Sequence, residues 1–190
     1  MKDIFILGGP NGAGKTTAAN VLLPKELRVN AFLNADEIAR RISPSNVEAA
    51  AFEAGRLMIE QMRQMVRDGL SFAFETTCSG KSYIRLLKEC RNAGWRISLI
   101  YLWVPSPEYS IARVARRVSQ GGHHIPDDVI RRRYLSGLSN MRHLYLPLAD
   151  DAFVYDNRDR ALRLIARRTV GSPLIVLDEE IWVRIEELTS

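Results

Sequence analysis

Residues 8–17 read GGPNGAGKTT, and this stretch is the main indication of the fold of the chain. Residues 9–16 match the pattern G-x-x-x-x-G-K-[ST] at every fixed position. The apolar run at 3–7 (DIFIL) is typical of a buried parallel strand, and a helix is predicted to begin near Lys15. Glycines let the backbone wrap a phosphate with its N–H groups pointing inward, and the helix N-terminus adds partial positive charge. The stretch therefore predicts a loop that binds the phosphates of a nucleoside triphosphate.

The side chains of this loop also predict the cofactor. We expect Lys15 to be exposed, to reach the terminal phosphates and to take part in catalysis, and Thr16 to ligate Mg²⁺. Thr17 adds a contact to an inner phosphate. The predicted cofactor is ATP or GTP with Mg²⁺. The predicted nucleotide-binding residues are Gly9, Pro10, Asn11, Gly12, Ala13, Gly14, Lys15, Thr16, Thr17 and Arg113.

Apolar runs and helical periodicities alternate along the rest of the chain. This alternation predicts a P-loop NTPase fold of the α/β class, with a parallel five-stranded core sheet flanked by helices. We expect one domain over 1–190, with a helical lid at about 106–142 and a small C-terminal β/α extension at about 158–190. The predicted core strands are 3–7, 30–36, 71–77, 96–104 and 151–157, the predicted helices are 15–23, 36–42, 46–68, 81–93, 107–118, 127–142 and 179–188, and the short strands of the extension are 160–169 and 173–178.

Capping residues and prolines predict where several helices begin and end. Pro24 stops the first helix, and Ser45 caps the long helix at 46–68. Methionines and small apolar residues recur in that helix at three- and four-residue steps, which is typical of a face packed in the core. Ser106 followed by Pro107 predicts a helix start, with the serine as the cap and the proline at the first helical position.

The composition restricts the class of protein. The chain has 190 residues, of which 46% are apolar and 26% are charged, as in ordinary globular domains. No apolar run approaches the roughly 18 residues that a membrane span needs. Cys78 and Cys90 are the only cysteines in the sequence, too few for a disulfide framework or a metal knuckle. We therefore expect a soluble cytoplasmic protein.

Two acidic residues follow predicted strands at the edge where open α/β sheets bind ligands. Asp36 follows the second strand, in FLNADEIAR, and Glu75 ends the third, in FAFETT. A carboxylate that accepts a hydroxyl proton beside Mg²⁺-ATP is what a small-molecule kinase requires. The alternative for Asp36 is that it caps its helix. Glu75 breaks the apolar pattern of its strand, and Thr76 and Thr77 follow it.

Arginines dominate the formal net charge of +5. Arg113 and Arg117 are four residues apart and share a helix face, whereas 131–133 are three successive arginines that cannot all face one site. Arginines stabilise a phosphoryl group in transfer, and the glycine pair in the loop 119–128 would let the two helices close as a lid. The alternatives are a solvated basic face, a nucleic-acid surface or a surface for an acidic partner.

The segments GGPNGAGKTT, FLNADEIA, FAFETT, RVARRVSQGGHHIPDDVIRRRY and VYDN together resemble the zeta-toxin-like P-loop kinases, from about residue 3 to residue 157. Those kinases phosphorylate UDP-N-acetylglucosamine on a sugar hydroxyl. The resemblance implies that Lys15 and Thr16 hold ATP and Mg²⁺ and that Asp36 is the catalytic base. It also implies an antitoxin protein as a partner.

The same resemblance assigns the acceptor site and the arginines of the lid. The family has an acidic substrate-site residue at the third strand and phosphate-binding arginines in the lid, and the sequence leaves open which of the successive arginines faces the phosphates. The implied acceptor residues are Asp36, Glu75, Thr76, Thr77 and His123, and the implied catalytic arginines are Arg117 with Arg132 or Arg133.

The sequence therefore predicts an ATP-dependent kinase that acts on a small phosphorylated or nucleotide-linked acceptor. A nucleoside or polynucleotide kinase is the alternative among enzymes, and binding to a nucleic-acid backbone would weaken steeply with salt. Outside enzymes, the alternative is a nucleotide-binding regulator that hydrolyses ATP slowly. A kinase needs a base at Asp36, and a regulator does not. The expected partners are the nucleotide, the small acceptor and an antitoxin protein, without nucleic acid or membrane.

Overall fold

A computed structural model describes residues 2–22, 31–44, 46–159 and 161–190 of the chain. The strands are β1 (Asp3–Gly8), β2 (Ala31–Asn34), β3 (Phe72–Thr76), β4 (Arg96–Trp103), β5 (Asp151–Asp156), β6 (Arg163–Arg168) and β7 (Ile175–Val176). The helices are α1 (Lys15–Leu22), α2 (Ala35–Ile42), α3 (Ala51–Arg67), α4 (Ile84–Asn92), α5 (Pro107–Val118), α6 (Asp127–Asn140), α7 (Leu146–Leu148) and α8 (Glu179–Glu187). A π-helical segment, Met141–Tyr145, joins α6 to α7.

The seven strands form one sheet in the order β2-β3-β1-β4-β5-β6-β7. The first five strands in this order are parallel, and β6 and β7 are antiparallel additions. β1 lies between β3 and β4, and its Ile4, Ile6 and Leu7 are buried, as expected for a strand in the middle of a parallel sheet. The predicted core of five parallel strands is confirmed.

The carboxyl ends of the parallel strands meet at one edge of the sheet. Gly8, the last residue of β1, lies opposite Thr76 of β3. Asn34, the last residue of β2, lies opposite Glu75 of the same strand. The phosphate loop after β1, the start of α2 and the end of β3 therefore converge at the edge where open α/β sheets bind ligands.

The C-terminal extension continues the core sheet. Six residues, 157–162, connect β5 to β6. A parallel crossover needs about a dozen residues or more, so this short connection imposes an antiparallel pairing. Arg163 of β6 lies 3.4 Å from Asp156 of β5 and 3.0 Å from Asp178 before α8, measured between side-chain nitrogen and oxygen atoms. These ion pairs hold the extension to the end of the core sheet.

Two helix predictions are confirmed. The Ser106 hydroxyl accepts a hydrogen bond from the Tyr109 backbone N–H at 3.2 Å, and Pro107 is the first residue of α5. Met58 and Met62 of α3 are fully buried in the core. The methionine stripe is therefore a packing face.

The predicted start of α3 at residue 46 is wrong. The helix begins at Ala51, residues 47–50 form turns, and Ala50 at the N-cap makes no side-chain hydrogen bond. A run of alanines continues the apolar spacing into this segment but provides no side chain that could cap a helix. Ser45 and Pro24, the predicted cap and the predicted stop of α1, lie outside the described residues.

The helix that begins with α6 runs further than its predicted end at residue 142. It passes through the π-helical segment into α7 and ends at Leu148. Its packed side consists of Ile130, Tyr134, Leu138 and Met141, which are all buried.

Candidate active site

The loop between β1 and α1 requires glycine where its backbone lies against other elements. Gly9 has a φ of 145°, and a Cβ atom there would lie 2.5 Å from the carbonyl oxygen of Leu102 in β4. Gly12 has a φ of 75°, and its Cβ atom would lie 2.9 Å from the carbonyl oxygen of Ser110 in α5. Contacts this close exclude any side chain. The loop is thus held against β4 and α5.

Lys15 is buried, so the prediction that it would be exposed is wrong. Only 6% of the residue is accessible. Its ammonium group donates a hydrogen bond to the Pro10 carbonyl oxygen at 3.0 Å and lies 3.6 Å from Oε1 of Glu75. The side chain folds back over the loop because a carbonyl and a carboxylate there compensate for the desolvation of its charge.

Glu75 connects the phosphate loop to β2. Its Oε2 atom accepts hydrogen bonds from the Thr16 hydroxyl at 2.9 Å and from Nδ2 of Asn34 at 3.0 Å, and its Oε1 faces the Lys15 ammonium. Asn34 was not predicted from the sequence to be a functional residue. The sequence feature that could have identified Asn34 is its position in LNAD, two residues before Asp36.

Asp36 does not cap α2. The cap is Asn34, whose Oδ1 accepts a hydrogen bond from the Asp36 backbone N–H at 2.8 Å. The side chain of Asp36 is exposed, and it has no hydrogen-bond or ion-pair partner among the residues that the structure describes. The alternative role that the sequence allowed is therefore wrong, and the carboxylate is left available to a ligand.

Two cavities meet at this edge of the sheet. The first, of about 730 Å³, lies over the phosphate loop and is called the nucleotide cavity. The second, of about 590 Å³, lies between α3 and the residues after β3 and is called the acceptor cavity. Their common wall consists of Asn11, Lys15, Asp36 and Glu75. Both predicted acids and the loop lysine thus stand between the two spaces.

The arginines of α5 face the nucleotide cavity. Arg113, Arg116 and Arg117 all line it. Arg113 is half-buried and donates a hydrogen bond to the Gly12 carbonyl oxygen at 3.4 Å. Arg117 is exposed and donates to the carbonyl oxygen of His123 at 2.8 Å. Arg113 and Arg117 therefore share one face of α5, as predicted. Arg116 lines the same cavity and was not predicted as a site residue.

The successive arginines of α6 point in different directions. Arg133 is half-buried and lines the acceptor cavity. Arg131 is exposed and forms an ion pair with Glu108. Arg132 is exposed, and neither it nor His123 is among the described residues that line the two cavities. Of the two arginines that the sequence left open, the structure therefore brings only Arg133 to the site.

The threonines after Glu75 lie where the sequence placed them. Thr76 and Thr77 line the acceptor cavity, while Thr16 and Thr17 line the nucleotide cavity.

A further residue, Asn157 after β5, donates from Nδ2 to the carbonyl oxygen of Ala13 at 2.6 Å and ties the phosphate loop to the end of that strand. Asn157 was missed as a site residue because only the fold brings it 144 positions back to the loop.

The end of α6 and the π-helical segment grip the loop that follows β3. Asn140 donates from Nδ2 to the carbonyl oxygens of Cys78 at 2.9 Å and Ser79 at 3.0 Å, and the Tyr145 hydroxyl donates to that of Gly80 at 3.1 Å. Cys78 has a φ of 58° and is buried, and this burial raises the pKa of its thiol to about 12. The hydrogen bonds from Asn140 and Tyr145 thus satisfy the carbonyl groups of three successive residues, 78–80, from one continuous helix. The helix that carries Arg133 is thus fixed relative to the loop after β3, which is called the acceptor loop.

We expect Gly137→Ala to destabilise the protein by about 1–3 kcal/mol, the usual cost of overpacking. Its Cβ atom would lie 2.3 Å from the Thr77 carbonyl oxygen, so α6 and the acceptor loop would have to move apart. The free energy of unfolding in urea measures the loss. The matched control is Gly55→Ala in α3, where a Cβ atom meets nothing within 4 Å; it should gain about 0.5–1 kcal/mol. Equal stabilities of the two variants would contradict the close contact.

A known protein family matches most of this chain. The sequence profile of the zeta toxin family matches residues 1–169. The chain belongs to the zeta toxin family. This confirms the resemblance seen in the sequence, and with it the predicted enzyme class, an ATP-dependent kinase.

Individual proteins are also similar to this chain. An uncharacterised protein of Haemophilus influenzae is 33% identical over 133 residues, which are 70% of this chain and 92% of that protein. The toxin–antitoxin system PezAT of Streptococcus pneumoniae includes a chain that aligns with a TM-score of 0.58 at 17% identity, over 98% of this chain and 85% of that one. A chain of the AvrRxo1-ORF1:-ORF2 complex, solved with ATP, aligns with a TM-score of 0.72 at 18% identity.

These structural likenesses confirm the P-loop kinase fold of this family member. The alignment with the chain of the AvrRxo1-ORF1:-ORF2 complex covers all of this chain, which spans 64% of that one. Within the described part of this zeta toxin homologue, no helix is both long enough and apolar enough to cross a membrane.

Proposed function

We propose that this chain transfers the γ-phosphoryl group of ATP to a hydroxyl group of a small nucleotide-linked acceptor, such as UDP-N-acetylglucosamine. The observation that carries the proposal is the common wall of the two cavities, which holds Lys15, Asp36 and Glu75. A donor on the phosphate loop and an acceptor in the second cavity would meet at these side chains. Membership in the zeta toxin family supports the same reaction.

The carboxylate of Asp36, which has no hydrogen-bond or ion-pair partner in the described part of the chain, is suited to be the general base. It accepts the proton of the acceptor hydroxyl while the hydroxyl oxygen forms a bond to the γ-phosphorus. The bond from that phosphorus to the β–γ bridging oxygen breaks, and ADP leaves. The Lys15 ammonium, which now donates to the Pro10 carbonyl, exchanges this partner for phosphate oxygens and balances their charge.

The polar groups beside the loop fit a magnesium ion that is shared with the nucleotide. Mg²⁺ prefers oxygen ligands and is usually held by one or two carboxylates together with substrate phosphates. The Thr16 hydroxyl and the Glu75 carboxylate, 2.9 Å apart, are such ligands, and they would hold the ion. When bound, Mg²⁺ neutralises charge on the phosphates. The described part of the chain contains no group of three or more His, Cys, Asp or Glu side chains that could hold a metal ion, so the ion would also need the nucleotide phosphates as ligands.

Arg117→Ala should lower the single-turnover rate by about 10²–10³-fold, as expected for the loss of one preorganised donor to a developing charge. Affinity for ATP should change little, because the arginine acts on the transferred phosphoryl group. Arg131→Ala is the matched control, since Arg131 is exposed, pairs with Glu108 and should affect the barrier by less than about 1 kcal/mol. Arg132→Ala and Arg133→Ala in the same assay decide between those two arginines. Small effects of all four substitutions on the single-turnover rate would show that these arginines are solvated surface charges.

The acceptor is tested by phosphorylation of a panel with γ-labelled ATP, with GTP as the alternative donor. The panel contains UDP-N-acetylglucosamine, free nucleosides and an oligonucleotide with a 5′-hydroxyl, and NMR locates the phosphate on the product. Transfer to the sugar hydroxyl is the expected result. Transfer to the oligonucleotide alone, weakening steeply with salt, would instead identify a polynucleotide kinase. ATP hydrolysis without transfer to any acceptor would identify a regulator.

We propose an antitoxin protein as the physiological partner. The support is the similarity to a chain of the PezAT toxin–antitoxin system. Induced expression in a bacterial host tests toxicity: the wild-type chain should arrest growth, and Asp36→Asn should not. Equal growth with both would refute a toxic kinase activity and remove the reason for an antitoxin.

A further inference from the structure

One face of α3 is directed into the acceptor cavity. The cavity is lined by Phe52, Gly55, Arg56 and Ile59. Gly55 and Arg56 lie three and four residues after Phe52, and Ile59 lies four and three residues after them, so the four share a side of the helix. We call this set the α3 face. Phe52 is 88% exposed, although a phenylalanine normally buries most of its ring. Its ring therefore stands at the cavity without a packing role in the described chain.

Gly55 is a second unusual feature of the α3 face. A glycine inside a helix costs stability relative to alanine, and it is usually explained by a close neighbour. A Cβ atom at Gly55 would meet nothing within 4 Å. Packing within the described chain therefore does not require glycine here, but a ligand that approaches the helix backbone would.

The charge of the acceptor cavity indicates what such a ligand carries. Away from the common wall, the described lining contains Arg56 and Arg133 and no acidic residue. Neither arginine forms an ion pair with any described residue. Arginine binds phosphate oxygens through its planar fork, and exposed aromatic rings stack on nucleobases. The hydroxyls of Thr77 and Ser79 add polar groups on the side of the loop after β3.

We propose that the α3 face recognises the part of the acceptor that does not react. Phe52 stacks on a nucleobase, Gly55 leaves room for it against the helix, and Arg56 with Arg133 binds the adjoining phosphates. This inference rests on the proposed function, because it takes the acceptor to be nucleotide-linked. It adds the residues that distinguish a nucleotide sugar from a simple sugar phosphate.

Calorimetry tests the inference without depending on transfer. The full chain, saturated with a non-hydrolysable ATP analogue and Mg²⁺, is titrated with UDP-N-acetylglucosamine and with N-acetylglucosamine 1-phosphate, which lacks the base. Phe52→Ala should weaken binding of the nucleotide sugar by about fivefold or more and change binding of the sugar phosphate by less than about twofold. Phe52→Trp should restore the affinity for the nucleotide sugar. Arg56→Gln should weaken both ligands.

Gly55→Ala separates a ligand role from a structural one. It should leave the melting temperature unchanged or raised, because the site is open, and still weaken binding of the nucleotide sugar. Leu135→Ala, which removes an exposed apolar side chain of α6 away from both cavities, is the control and should change neither affinity.

The outcomes distinguish this inference from the proposed function. Equal effects of Phe52→Ala on both ligands, no effect on either, or a wild-type chain that binds neither would overturn the role of the α3 face. Tighter binding of a 5′-hydroxyl oligouridylate than of the nucleotide sugar would overturn it in favour of a polynucleotide. Binding that depends on Phe52 but leads to no phosphorylation would refute the kinase proposal and leave the α3 face standing. Phosphorylation of the acceptor at the same rate in Phe52→Ala as in the wild type would refute the role of the α3 face and leave the kinase proposal standing.

Discussion

Lys15→Met is expected to abolish ATP turnover, with a loss of at least about 10²–10³-fold, the range for a preorganised electrostatic group. The loop backbone would remain, but the charge that balances the terminal phosphates would be gone. Methionine is chosen because Lys15 is buried, and a shorter side chain would leave a space beside Pro10 and Glu75. Steady-state ATP turnover and calorimetric ATP binding measure the effect.

The control for this variant is Lys88→Met, which removes an exposed lysine of α4 that lines neither cavity. It should turn over ATP at the wild-type rate. Glu75 keeps its hydrogen bonds from Thr16 and Asn34 in Lys15→Met, so the circular dichroism spectrum should stay that of the wild type. A folded Lys15→Met chain with unchanged ATP affinity and turnover would refute the assignment of the phosphate loop.

Asp36→Asn should bind ATP normally and lose phosphotransfer by about 10²–10⁴-fold, as expected for removal of a general base. The amide keeps the shape of the carboxylate but does not accept the hydroxyl proton. Since Asn34, and not Asp36, caps α2, the substitution should leave the stability of the helix nearly unchanged. Single-turnover transfer to the acceptor, measured beside ATP affinity, separates the two effects.

Two matched substitutions complete the test of the base. Glu37→Gln, at the next position of α2 and outside both cavities, should have the wild-type rate. Glu75→Gln should impair the binding of Mg²⁺-ATP as well as phosphoryl transfer, because the Glu75 carboxylate accepts a hydrogen bond from Thr16 and forms an ion pair with Lys15. If Asp36→Asn transferred phosphate within a few-fold of the wild-type rate, the base would have to be sought at Glu75.

The features of this protein that could be predicted from its sequence are those whose causes are local. The phosphate loop could be predicted because its glycines, lysine and threonine are consecutive and lie between a strand and a helix. The parallel sheet followed from the alternation of apolar runs and helical periodicities, and the start of α5 followed from Ser106 and Pro107. Where no side chain marks the boundary, as at Ala50 before α3, the prediction was wrong.

The hydrogen-bond and ion-pair partners of the site residues could be learned only from the fold. Asn34 and Thr16 bind Glu75 across separations of 41 and 59 residues, and Asn157 reaches Ala13 across 144. A local pattern cannot predict such contacts because sheet order and strand register bring these residues together. The same holds for the burial of Lys15, because its charge is compensated by the distant Glu75 carboxylate of β3 as well as by the Pro10 carbonyl of its own loop.

The choice among the successive arginines of α6 also needed the fold. Their spacing showed that residues 131–133 diverge around the helix, but not which direction faces a ligand. Glu108 of α5 pairs with Arg131, while the position of α6 beside the loop after β3 turns Arg133 into the acceptor cavity. A helical periodicity specifies which residues share a face, and packing against other elements decides what that face meets.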